Sequence, residues 1–189
     1  MKIGGFSNIK IPAFTMLDWS FSMKRILVCY ATRYGSTRGI ATIIADELRD
    51  AGYEVTLSPA SDAGDPAGYD AVIIGSPLYM GKWLADAREF VSRFRDSLRS
   101  RPVAVFSAGF TLREQTAGNL DAADGALASS VRPYLSPVSA GYFAGRLDPD
   151  HMTAADRAVI ALAGTVPGDF RDPGEVKKWA GTLPSLLFR

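Results

Sequence analysis

The stretch "RILVCYATRYGSTRGIATIIADEL", residues 25–48, decides how the chain is read. A short apolar run, 25–30, reads as a buried strand and stops at Ala31. Ile40, Ile44 and Leu48 then recur at helical spacing, with Ile43 beside them. Asp46, Glu47, Arg49 and Asp50 supply a polar side and Gly52 a stop. Between strand and helix stand Thr32, Arg33, Tyr34, Gly35, Ser36 and Thr37. A helix opening at Ser36 leaves backbone N–H groups without partners and places partial positive charge there. Gly35 permits a tight turn, and Thr32, Ser36 and Thr37 add hydroxyls. These features suit a phosphate monoester. They equally suit an ordinary capped helix after a strand, and this junction alone leaves both readings open. It is neither G-x-G-x-x-G nor G-x-x-x-x-G-K-[ST]. No lysine is placed to reach distal phosphates, and no second glycine makes room for a pyrophosphate.

Outward from this junction, short apolar runs alternate with amphipathic ones. Residues 53–58, 70–76, 102–110 and 137–147 read as strands. Residues 81–100 and 116–131 read as helices, the first with Trp83, Leu84, Ala87, Phe90, Val91, Phe94 and Leu98 as its apolar stripe. Thr153 with Asp156, and Asp172 followed by Pro173, look like caps of two further helices. Near-continuous apolar strands separated by helices predict an α/β, three-layer, doubly wound, five-stranded parallel sheet. In such sheets ligands bind beyond the carboxyl ends of the strands, where the winding reverses.

Two more strand ends therefore matter. "GSPLYMGKW", 75–83, carries Ser76, Pro77, Leu78, Tyr79, Met80 and Gly81; "SAGFTLR", 107–113, carries Ser107, Ala108, Gly109 and Phe110. Apolar and aromatic loops beside a phosphate cradle would hold a flat ring by its faces and edge. Trp83 lies on its helix's apolar stripe and reads as core. Tyr79 lies outside that stripe and reads as a ligand contact.

With these loops in view, the chain from Lys24 to about Leu183 resembles the flavodoxin-like FMN proteins. "YATRYGST", 30–37, looks like their phosphate loop; the other two loops look like their isoalloxazine loops. The tail "GTVPGDFRDPGEVKKWAG", 164–181, resembles the flavodoxin-domain branch that includes menaquinone-dependent protoporphyrinogen oxidase, through Gly168, Asp169, Phe170, Arg171, Asp172 and Trp179. Arg33 and Tyr34 depart from the small or polar residues of carrier phosphate loops; Arg33 either adds charge to a phosphate or sits in solvent. No long insertion near the last strand is evident. The resemblance implies FMN as cofactor, with residues 32–37, 76–81 and 107–110 binding it and backbone groups at Gly81 and Gly109 meeting the ring edge. It implies an FMN-dependent oxidoreductase that passes hydrogen or electrons to a quinone or other redox partner, with a porphyrinogen as candidate substrate. The alternative is an electron carrier without a substrate of its own. Intact loops at all three strand ends argue against a flavin-free interaction domain. No catalytic acid or base is nominated.

Composition bounds the rest. The net charge of the 189 residues is +1, which argues against nucleic-acid binding and is unlike strongly acidic carriers. The single cysteine, Cys29, and single histidine, His151, exclude a disulfide and a histidine-rich metal site. Cys29 reads as an inert core thiol, His151 as a capping or surface residue. A cytoplasmic protein is expected, with at most peripheral membrane contact through its first residues or "LPSLLFR" at 183–189. Residues 1–23 are read as an extension to a domain spanning 24–189. They are either a loosely docked arm or lie upstream of a true start at Met23. The oligomeric state is not read from the sequence.

Overall fold

The computed structural model describes residues 23–189, so the expectations for residues 1–22 lie outside the described residues. Strand β1 (Arg25–Tyr30) leads into helix α1 (Ser36–Asp50), then β2 (Glu54–Pro59) and β3 (Ala71–Tyr79). A two-residue strand, β4 (Lys82–Trp83), precedes α2 (Ala85–Arg93) and α3 (Arg95–Arg99). β5 (Val103–Gly109), α4 (Ala117–Ser130) and β6 (Ser139–Ala144) follow. After β6 come β7 (Arg146–Leu147), α5 (Ala154–Leu162), β8 (Gly168–Asp169) and α6 (Pro173–Leu187).

The main sheet runs β2-β1-β3-β5-β6, and every neighbouring pair on that path is parallel. This is the doubly wound order, with its reversal between β1 and β3. Alternation along each strand feeds two cores. Ile26, Val28, Ile73, Ala104 and Phe106 face α1 and α6. Leu27, Cys29, Val72, Ile74, Val103 and Val105 face the layer of α2, α3 and α4. Burial pushes the Cys29 thiol up, away from the reactive thiolate, as expected of a core cysteine.

Three boundaries differ from the sequence reading. The helix expected from Gly81 begins at Ala85, because β3 extends to Tyr79 and turns back through β4. Met80 (φ 50°) and Gly81 (φ 72°) both have positive φ, the twist a two-residue hairpin turn requires. That helix also breaks at Phe94 into α2 and α3. The strand expected over 137–147 ends at Ala144; the chain leaves the sheet at Gly145, and Arg146–Leu147 pair antiparallel with Gly168–Asp169. Residues 145–172 thus form an excursion carrying α5, the helix whose cap the sequence places at Thr153 and Asp156. Trp83 is buried, and its indole N–H donates to the Ser107 hydroxyl at 2.9 Å. The "LPSLLFR" stretch lies largely in α6, where Leu183 and Leu187 are buried in the core. Among the described residues no helix is long and apolar enough to cross a membrane.

Gly75, in the middle of β3, shows how closely this core is filled. An ideal Cβ there would stand 2.0 Å from the Phe106 ring. Gly75→Ala is expected to lower stability by about 1–3 kcal/mol through overpacking, read as a lower urea midpoint at unchanged slope.

Candidate functional site

The carboxyl ends of β1, β3 and β5 meet at a cavity of about 460 Å³. The loop after β1 closes its first side. Gly35, at φ 80°, is the residue before α1 and donates its N–H to the Thr32 hydroxyl at 3.0 Å. No side chain caps the first turn of α1, so its amide groups remain open. Thr37 lies in that turn, 1% exposed, and its hydroxyl is buried without a hydrogen-bond partner among the described residues. Ser36 is engaged: its hydroxyl accepts the Arg146 N–H at 2.7 Å, tying the start of α1 to the chain leaving β6. Gly145 lies beside this junction, its N–H donating to the Gly109 carbonyl at 3.0 Å.

The second side is the β3–β4 hairpin. Pro77, Leu78, Tyr79 and Met80 line the cavity, with Met80 87% exposed at the turn. Ala108, Gly109 and Phe110 from the end of β5 form the third side. Phe110 is held edge-to-face by Phe170 at 5.4 Å, and the Arg113 guanidinium lies 3.9 Å from the centre of its ring. Of the sequence-expected site residues, Thr32, Arg33, Tyr34, Ser36, Thr37, Pro77, Leu78, Tyr79, Met80, Ala108, Gly109 and Phe110 are brought together here. Gly35 shapes the loop without lining the cavity, and Gly81 sits in the hairpin turn. Ser76 and Ser107 are fully buried behind the wall. Ser76 accepts the Leu84 N–H and Ser107 the Trp83 indole, so both hold the scaffold.

The fourth side comes from the 145–172 excursion, which sequence reasoning did not place here. Arg146, Leu147, Met152, Asp156, Val159 and Ile160 all line the cavity. Thr153 caps α5 by accepting the Asp156 N–H at 3.2 Å, so the expected capping pair is present. That signal located the helix but not the surface it covers. The Asp156 carboxylate does locate it. It accepts from Arg33 Nη2 at 2.8 Å, Arg33 Nε at 3.1 Å, the Tyr79 hydroxyl at 2.9 Å and the Tyr34 hydroxyl. The Arg33 guanidinium lies 4.3 Å from the centre of the Tyr79 ring. Arg33 is therefore drawn into a clasp on α5 rather than standing alone in solvent. Hydrogen bonds from the Tyr34 hydroxyl, then from the Tyr79 hydroxyl and the Arg33 guanidinium, hold the Asp156 carboxyl at about 2 against partial burial, and the same carboxylate raises the Tyr79 hydroxyl.

His151 sits at the surface of the excursion, its Nδ1 2.9 Å from Asp148 Oδ2. Among the described residues no cluster of metal-ligating side chains is present. Two other clefts, beside Arg99 and Arg132 and beside Ser61 and Arg93, are lined by none of the three strand-end loops.

Comparison with known proteins agrees with this architecture. The chain is 30% identical over 92 residues to protoporphyrinogen IX dehydrogenase [quinone] of Escherichia coli (strain K12), a match covering 48% of this chain and 51% of that protein. The chain thus spans about half the length of the curated relatives it matches. Solved structures with the same fold include flavodoxin from Streptococcus pneumoniae TIGR4, with TM-score 0.52 and 18% identity over 85% of this chain and 98% of that one. Two-electron reduced Megasphaera elsdenii flavodoxin gives TM-score 0.52 and 15% identity over 83% of this chain and 98% of that one. The family model described as "Flavodoxin domain" matches residues 27–172, and the chain belongs to the flavodoxin-domain family.

Proposed function

We propose that this chain binds FMN in the cavity at the ends of β1, β3 and β5 and passes electrons through it. The observation that carries the reading is Thr37. A buried hydroxyl without a partner costs about 1–3 kcal/mol, and here it stands in the uncapped first turn of a 15-residue helix. An anion at that point would take the hydroxyl and the open amides together. Thr32 and Gly35 shape the loop around it. The hairpin with Tyr79 and the loop with Phe110 flank the remaining space, where a planar ring would meet aromatic and aliphatic walls. Bound FMN would supply a ring that accepts and donates electrons; the chain's part is to orient that ring, limit its contact with water and set its electrostatic surroundings. The likeness to flavodoxins supports a carrier that passes electrons between other proteins.

A second reading, an oxidoreductase taking hydrogen from a porphyrinogen and passing it to a quinone, is favoured by the excursion. Leu147, Met152, Val159 and Ile160 turn the fourth side into an apolar wall. The near-neutral charge also differs from an acidic docking surface. Purified protein should be yellow, release FMN on denaturation and rebind it one to one. A colourless protein that does not bind added FMN would overturn both readings. Protoporphyrinogen oxidation with a quinone acceptor separates them, since a carrier shows none.

Two variants test the site's parts. Thr37→Val keeps the branched shape and removes the orphaned hydroxyl. It should raise the stability of the FMN-free protein by about 1 kcal/mol while weakening FMN binding roughly tenfold, as expected for a lost hydrogen bond to a charged group. Parallel thermal melts and fluorescence titrations measure the two effects; unchanged FMN affinity removes Thr37 from the site.

The clasp is a depressed carboxylate, so its contribution is complete above the ordinary carboxylate pKa near 4. It is lost as pH falls toward the Asp156 value of about 2. Asp156→Asn removes the charge at neutral pH. Amide exchange across 154–162 should then rise roughly tenfold, matching the loss of a charge-assisted bond, while β1 and β3 stay protected. Unchanged exchange would show that α5 is held by its apolar contacts alone.

A further inference from the structure

Among the described residues only two buried side-chain nitrogen or oxygen atoms lack a hydrogen-bond partner: Thr37 Oγ1 and Arg146 Nε. Both residues line the same cavity. They are also linked through one neighbour, because Thr37 follows Ser36 and the Ser36 hydroxyl accepts the Arg146 backbone N–H at 2.7 Å. Two orphaned groups lining one cavity, on segments joined through Ser36, point to one shared partner. Each unmet donor carries a desolvation cost, larger for a charged group. One anion between them would relieve both.

The surrounding carboxylates do not satisfy Arg146. Asp169, its cross-strand neighbour, is engaged by Arg171, whose Nε donates to Asp169 Oδ1 at 2.8 Å. Asp148 accepts the Asp150 N–H at 3.3 Å and lies 2.9 Å from His151 Nδ1, leaving Arg146 Nη2 a long 3.7 Å contact. The Arg146 side chain is 32% exposed, so its charge is partly withdrawn from water without being paired closely. Ser36, by holding the Arg146 backbone, fixes where that side chain starts.

We infer that Arg146 is an anion-binding residue of the cavity, which pairs with the phosphate of the bound flavin and makes the site selective for the phosphorylated cofactor. This rests on the FMN reading and extends it. The loop after β1 offers neutral donors only, since Arg33 is committed to Asp156. The cationic partner therefore comes from the excursion, from a residue more than a hundred positions away in the chain. An arginine suits this role because its nitrogen fork matches phosphate oxygens and stays charged at every working pH. The same contact makes the excursion part of the cofactor site, so flavin binding and the seating of β7 should reinforce one another.

The test compares FMN with riboflavin, which has the same ring without the phosphate. Dissociation constants are measured by fluorescence titration for the unaltered protein and for Arg146→Gln and Arg146→Lys. FMN should bind about tenfold more weakly to Arg146→Gln, riboflavin should be unaffected, and Arg146→Lys should recover part of the loss. Added salt should weaken FMN binding to the unaltered protein more than to Arg146→Gln. Equal losses for FMN and riboflavin would assign Arg146 a purely structural role, and no loss for either would remove it from the site; both overturn the inference and leave the FMN reading intact. Failure of the unaltered protein to bind either flavin overturns both together.

Discussion

The structure turns on an unfinished helix end. Helix α1 starts beyond the carboxyl end of β1 with no side chain capping its first turn and with Thr37 buried and unpaired among the described residues. Folding leaves this polar deficit in place, because the positive φ at position 35 disfavours any side chain that could cap the turn. Gly35, at φ 80°, supplies the turn and no capping side chain. The surrounding elements hold that end open. Thr32 fixes the loop from one side, and Ser36 anchors the departing end of β6 from the other. The Gly145 N–H donates to the Gly109 carbonyl at 3.0 Å, tying the ends of β5 and β6.

Around that point, the sheet provides rigidity and the loops provide chemistry. β1, β3 and β5 are packed on both faces, so their ends are fixed relative to one another. The buried serines Ser76 and Ser107 transmit this rigidity into the hairpin, by holding the Leu84 amide and the Trp83 indole. The excursion is different in kind. Its helix α5 has no fully buried residue, and Leu162 is 89% exposed. Its polar attachments to the site are the Asp156 clasp and the Arg146 N–H donated to the Ser36 hydroxyl. A polar attachment of this sort yields more readily than a packed core, which suits a wall next to a site that ligands must enter.

Much of this was legible in the sequence. The doubly wound parallel sheet follows from apolar runs separated by amphipathic ones, and residues 32–34, 36–37, 77–80 and 108–110 line one cavity. The tail "GDFRDPGEVKKW" also has visible structural work. Gly168 and Asp169 pair with β7, Phe170 packs on Phe110, Asp172 caps α6, and Trp179 donates to Ser139 while packing on Phe143. What escaped was long-range and polar. Periodicity reveals which face of a helix is apolar, yet α5 is located by one carboxylate, and nothing local to Asp156 names Arg33, Tyr34 and Tyr79 as its partners. Likewise, Ser76 and Ser107 look like ligand-facing hydroxyls by position; only the fold shows that Trp83 and Leu84 have claimed them. The break at Gly145 hides within a run that reads as one strand.

The open end of α1 is the proposed seat of a flavin phosphate. A crystal structure of the chain grown with FMN tests it most directly. The phosphate is expected within hydrogen-bond distance of Thr37 Oγ1 and the first amides of α1, with the ring between the Tyr79 hairpin and the Phe110 loop. A structure with FMN bound elsewhere, or with Thr37 still unpaired beneath an ordered flavin, would contradict it.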